Sequence, residues 1–212
     1  LLKTLSGTIK KLNGKYDYGY NVDMQYFDQE MESLDRNNTV LEEFSKDFPN
    51  LTITQTRSCL ASFMFYADDI DKKVSSLSGG EKVRLELCKI MKKGPNLLLL
   101  DEPTRGLDPL GAKEIMEFFK RLQKESNKTI IMITHDMDLV YEYSTRVIVM
   151  DKGEVAFDGD KEELFKGEYE KYHLTKPTIL RTIDYINEHT NREISYRNYC
   201  LEDLLKSLKA GE

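Results

Sequence analysis

The 212 residues, 40% hydrophobic and 32% charged, are enough for one α/β core and short for two domains. A formal net charge of −6 and a pI near 5.3 argue against indiscriminate binding to nucleic acid, and direct DNA binding is not expected. Cys59, Cys88 and Cys200 form no C-x-x-C pair and fit a reducing cytoplasm, while no apolar run approaches the roughly 18 to 20 residues of a membrane span.

Leu1-Leu2-Lys3-Thr4-Leu5 followed by Ser6-Gly7 reads as the last turns of an amphipathic helix that starts before Leu1. From Gly14 to Gln29 tyrosines, valine and phenylalanine alternate with turn residues, which predicts short strands with Gln29 at a strand end. Glu30 to Asp69 has helical texture, with Thr39 as a cap and Phe63, Phe65 and Tyr66 on an apolar helix face.

Beyond Leu77-Ser78-Gly79-Gly80-Glu81, the residues Val83, Leu87, Ile90 and Met91 mark one face of a helix that stops at Lys92-Lys93-Gly94-Pro95. Ser78-Gly79-Gly80 therefore lies at a helix N-terminus, where free N–H groups and the helix dipole attract an anion. The same residues also satisfy a plain capping box, Ser78 with Glu81.

Leu97 to Leu100, opened by Gly94-Pro95 and closed by Asp101-Glu102-Pro103, predicts a strand buried on both faces. Its C-terminal end delivers two adjacent carboxylates, at the edge where ligands of open α/β sheets bind. Strand alternation would point Asp101 and Glu102 in different directions, one toward a metal and one toward a water. A buried strand ending in an ordinary acidic turn is the alternative.

Pro109 opens a helix with Ile115, Met116, Phe118, Phe119 and Leu122 on one stripe. Thr129 to Thr134 predicts a second buried strand, ending in His135-Asp136, and a parallel sheet would place His135 on the same rim as the two acids. Val147 to Met150 and Glu154 to Phe157 form a hairpin expected to cap the sheet edge. The polar, helical remainder carries apolar stripes at Ile179, Leu180, Ile183 and Ile186, and at Leu201, Leu204, Leu205 and Leu208.

Taken together, Leu77-Ser78-Gly79-Gly80-Glu81, Leu97 to Thr104, Gly106-Leu107-Asp108 and Thr134-His135-Asp136 resemble, in order, the signature motif, Walker B, D-loop and switch histidine of the ABC ATPase family. The resemblance implies an α/β, P-loop NTPase-like ABC ATPase domain over residues 1–160. Its sheet is mostly parallel, with a helical signature-motif subdomain over about 30–93 and a short helical C-terminal tail over 161–212. It implies ATP and Mg²⁺ as cofactors. Asp101 would hold the metal, Glu102 would polarise the attacking water, and Gln29 would reach both. His135 would contact the γ-phosphate. Ser78 and Gly80, within the signature Leu77 to Glu81, would bind ATP held by a second ABC ATPase domain in a head-to-tail dimer, and Asp108 would tie the two sites together.

No G-x-x-x-x-G-K-[ST] loop occurs in these 212 residues, and Leu1-Leu2-Lys3 resembles the start of the helix that succeeds that loop in the family. The polypeptide is therefore expected to be cut just after the P-loop and to bind ATP weakly or not at all. Tyr26 to Glu30, Leu34 to Tyr66 and Gly80 to Asn96 look like the ABC-F group, ATPases acting on the ribosome. Arg105 to Pro109, Thr134 to Val140 and Pro177 to Leu208 look like ATPase subunits of energy-coupling-factor transporters, which partner a membrane-embedded subunit. The change of character predicts a recombined gene or an assembly join near residues 101 to 104. The transporter reading implies a cytoplasmic chain, peripheral at the inner face of the cell membrane.

Overall fold

The computed structural model describes residues 1–28, 31, 33–197 and 200–210, which group into two compact units, Leu1–Ile133 and Thr134–Glu212. The first unit is built on a three-stranded parallel sheet of β1 (Met24–Phe27), β2 (Leu97–Asp101) and β3 (Thr129–Ile133), in that spatial order. The central position of β2 accounts for its all-leucine sequence. With a neighbour on each side, Leu98, Leu99 and Leu100 are 0–1% exposed.

Helices surround this sheet in chain order. A short α1 (Leu2–Leu5) ends at Ser6. Between β1 and β2 come α2 (Val40–Asp47), α3 (Ile53–Ser62) and α4 (Gly79–Lys92), and between β2 and β3 comes α5 (Pro109–Ser126). Thr39, Thr52 and Ser78 each cap the next helix with a full capping box, so these three boundaries are set by local chemistry. On α5, Ile115, Met116, Phe118 and Phe119 are buried, and Phe118 packs its ring 5.0 Å from that of Phe63.

Three expectations change in this unit. Residues 14–23 form no strand, and only β1 is regular. Gly14 and Asn21, at φ 84° and 63°, break the extended backbone that the tyrosines favour. Phe63, Phe65 and Tyr66 lie past the end of α3 instead of on its face; Phe63 and Phe65 are buried, but Tyr66 is exposed. The third is β3, whose burial alternates, with Ile131 44% and Ile133 40% exposed. Hydrogen-bonded to β2 alone, β3 is an edge strand, and its apolar run does not report burial on both faces.

The second unit holds α6 (Met137–Tyr143), β4 (Val147–Asp151), β5 (Glu154–Gly159), α7 (Lys161–Lys166), α8 (Thr178–His189) and α9 (Leu201–Ala210). The hairpin turns at Lys152 and Gly153, both at positive φ as a tight two-residue turn requires, and β4 and β5 form a two-stranded sheet of their own. Tyr141, Leu164, Phe165, Leu180, Ile183 and Leu204 make the core of this unit. Leu201 and Leu205 remain exposed, so only part of the predicted stripe on α9 is used for packing.

Candidate active site

The parallel register brings Tyr26, paired with Leu99, onto the same face of the sheet as Asp101 two residues further along β2. Tyr26 Oη donates a hydrogen bond to Asp101 Oδ2 at 3.0 Å. This partner escapes sequence reasoning because it lies 75 residues away and its aromatic ring reads as ordinary strand composition. Asp101 is half-buried, held at the rim by the buried leucines behind it.

Glu102 is one residue past the strand and adopts φ 45°, a left-handed conformation that is unusual for a non-glycine residue. Its N–H donates to the Ile133 carbonyl at 3.0 Å and its own carbonyl accepts from the Arg105 N–H at 3.1 Å. The direction of Glu102 is thus set by a turn and not by strand alternation. A second tight step, Leu107 N–H to the Thr104 carbonyl at 3.2 Å with Gly106 at φ 77°, carries the chain to Asp108. Asp108 caps α5, its Oδ1 accepting from the Gly111 N–H at 2.7 Å.

At the start of α4, Ser78 Oγ accepts from the Glu81 N–H at 3.2 Å and Glu81 Oε2 accepts from the Ser78 N–H at 2.8 Å. Leu77 is buried and anchors this turn, whereas Ser78 and Gly79 face solvent. Gly79 lies against the Leu107 side chain and Gly80 near Arg84. The signature turn and the Gly106-Leu107-Asp108 turn are therefore neighbours, which their 27 intervening residues do not reveal.

The helix behind the signature turn is fixed by buried charge. Lys89 Nζ lies 2.6 Å from Glu43 Oε1 and 3.1 Å from Asp47 Oδ2, while Asn38 Nδ2 donates to the other Glu43 oxygen at 2.9 Å. Burial alone would lower the Lys89 ammonium, but the hydrogen bonds and charges of Glu43 and Asp47 outweigh it, and its pKa is raised above the usual lysine range. On the other face of α4, Arg84 reaches Glu114 of α5 at 3.5 Å and lies over the Phe65 ring.

Two predicted site residues stand apart from this group. Gln29 lies outside the described residues; its neighbour Asp28 pairs with Lys3 of α1 at 3.3 Å. His135 belongs to the second unit, is exposed, and sits in a turn in which Thr134 Oγ1 accepts from the Asp136 N–H at 3.1 Å. Among the described residues no group of three or more His, Cys, Asp or Glu side chains converges as a metal cage.

A parallel sheet with two acids at its C-terminal edge, next to a capped glycine turn, is the arrangement that the comparisons recognise. The sequence profile described as ABC transporter matches residues 1–105, and that of an AAA domain matches residues 74–140. The chain belongs to the ABC ATPases. The family binds and hydrolyses ATP. Among relatives of this ABC ATPase, YdiF of Bacillus subtilis, an ATP-binding protein by name, is 37% identical over 188 residues, 89% of this chain and 27% of that protein. The energy-coupling factor transporter ATP-binding protein EcfA2 of Bacillus cereus is 40% identical over 130 residues, 60% of this chain and 44% of its own length. The chain thus spans between about a quarter and less than half of these curated relatives. The structure of cbiO1 from Clostridium perfringens, part of the ABC transporter complex cbiONQ, superposes with a TM-score of 0.65 at 28% identity, covering 90% of this chain and 78% of that one.

Matches of 188 and 130 residues within 212 must each include residues 101 to 104. Similarity to both relatives therefore runs through the point at which the sequence changes character.

Proposed function

We propose that residues 1–160 are the ATPase domain, and 161–212 a helical tail, of a nucleotide-binding subunit that energises an ABC transporter of the energy-coupling-factor type. The observation that carries this reading is the likeness to cbiO1 over 90% of the chain, together with the 40% identity to EcfA2. Phosphoryl transfer needs charge neutralisation and a positioned water more than covalent help. Asp101 and Glu102 supply one carboxylate each at adjacent positions on the sheet rim.

One or two carboxylates without a protein cage suit Mg²⁺, which keeps waters and takes the rest of its ligands from phosphate oxygens. Asp101, with Gln29, would hold it; when bound, it neutralises charge on the β- and γ-phosphates. Glu102 orients the water, and His135 meets the γ-phosphate. Ser78 and Gly80 offer the start of α4 to ATP on a partner ATPase domain, and Asp108 sits one turn from them on the D-loop. A groove of about 420 Å³ lined by Arg57, Ala61, Phe65, Tyr66 and Ile70 suits a coupling helix from the membrane-embedded subunit.

The test is Glu102→Gln in a polypeptide that carries a P-loop ahead of Leu1. Turnover should vanish while ATP binding persists; unchanged hydrolysis would remove Glu102 from its role. Residues 1–212 alone, without the P-loop lysine and its N–H nest, should bind a fluorescent ATP analogue weakly, and micromolar affinity would contradict that.

A second reading, a soluble ABC-F ATPase on the ribosome, is favoured by the 89% of the chain that aligns with YdiF. Copurification separates the two. An integral membrane protein supports the transporter and places the chain at the inner face of the membrane, and ribosomes support the second reading.

A further inference from the structure

The helix just after His135 is bound at its first turn by the C-terminal tail. Asp136 caps α6, its Oδ1 accepting from the N–H groups of Asp138 and Leu139 at 3.0 and 3.2 Å. The next carboxylate, Asp138, faces α8. Its Oδ1 accepts from the Thr178 N–H at 2.5 Å and its Oδ2 from Thr178 Oγ1 at 2.8 Å. Pro177, at the cap position of α8, makes no side-chain cap bond, so Asp138 supplies from another helix the acceptor that this N-terminus lacks. Its negative charge also meets the positive end of the α8 dipole.

The same pair of helices is joined along its length. Tyr141 of α6 is fully buried with Leu180 and Ile183 of α8, and its hydroxyl donates to the Tyr196 carbonyl. Tyr196 and Lys176 converge with Asp184 of α8 in one cluster. Lys161 Nζ donates to the Tyr141 carbonyl at 2.7 Å. The first turn of α6 thus has fixed attachments to the tail, and His135 precedes that turn by two residues.

We infer that Asp138 and Thr178 are positioning residues through which the C-terminal tail sets the placement of His135. The inference rests on the reading of His135 as the residue that meets the γ-phosphate. A tail displaced by a partner would release Asp138, loosen the first turn of α6 and move His135 without touching Asp101 or Glu102.

The 212-residue chain has three histidines, His135, His173 and His189, so imidazole NMR signals resolve one by one, and His135→Gln assigns the first. Asp138→Ala should shift the His135 ring signals and lower amide-exchange protection across Leu139 to Tyr143 by roughly tenfold, as loss of hydrogen bonds to a charged acceptor implies. Asp138→Asn, which keeps one acceptor, should restore part of both, and Thr178→Val, which keeps the N–H bond, should give a smaller change of the same kind. If Asp138→Ala unfolds the unit, Thr178→Val decides. His135 signals and α6 protection that stay at their original values in Thr178→Val would overturn the inference. Failure of the underlying reading looks different: His135→Gln would then leave hydrolysis unchanged in the P-loop-bearing polypeptide, while the spectra still respond to Asp138.

Discussion

Gly79 of the signature turn sits so close to Leu107 that a Cβ at position 79 would lie 2.9 Å from Leu107 Cδ2. Leu107 belongs to the turn that leads into Asp108, so motifs separated in sequence share one packing contact. Gly79→Ala would gain helix propensity of up to about 1 kcal/mol but must push the leucine aside. The expected result is a stability change within about 1 kcal/mol and a displaced 106–108 turn. In a Leu107→Ala background the same substitution should be more favourable by about 0.5–1 kcal/mol, a coupling that urea unfolding of the double-mutant cycle measures.

Tyr26→Phe removes the donor to Asp101 and nothing of the ring. Loss of a hydrogen bond to a half-buried carboxylate should cost about 1–2 kcal/mol in urea unfolding. In a P-loop-bearing polypeptide it should also raise the Mg²⁺ concentration that supports half-maximal hydrolysis, because the carboxylate is no longer oriented. An unchanged Mg²⁺ dependence would confine Tyr26 to a structural part.

At Glu102 the backbone conformation and the side-chain chemistry make different demands. A left-handed residue with a Cβ carries about 1–2 kcal/mol of strain, which glycine relieves at some cost in chain entropy. Glu102→Gly should therefore match the parent in thermal stability while losing hydrolysis, whereas the β-branched Glu102→Val should lower stability by about 1–2 kcal/mol.

The Glu43–Lys89 pair is buried, so breaking it from one side is expensive. Lys89→Met strands the Glu43 carboxylate and should destabilise by about 3–5 kcal/mol, whereas Glu43→Leu with Lys89→Met should recover most of that loss. The raised pKa of Lys89 sets the direction of the pH effect. Its stabilisation is complete below the unfolded lysine value of about 10.4 and is lost as pH rises through the folded value. Stability curves measured between neutral pH and pH 12 should fall less steeply for the double variant than for the parent.

Local chemistry was legible where one residue type serves one local need. The capping boxes at Thr39 and Ser78, the stop at Gly94-Pro95, Pro109 behind Asp108, and the leucines of β2 all act within a few residues, and the structure has each of them. The candidate acids were legible for the same reason, since a strand's C-terminal end is written in its own sequence. Burial on β3 was not legible. An apolar pentapeptide looks the same at a sheet edge as at its centre, and only the number of neighbouring strands distinguishes the two.

By itself the sequence determined which family chemistry this chain carries and where its helices and central strand begin and end, because caps, breakers and motif spacing are local. The tertiary structure alone decided the contacts that give those residues their settings: Tyr26 on Asp101, Leu107 under Gly79, Lys89 between Glu43 and Asp47, and Thr178 on Asp138. Each joins residues 28 to 75 positions apart or spans a helix and another element, and such pairings arise from how helices and strands stack and not from any period in the chain.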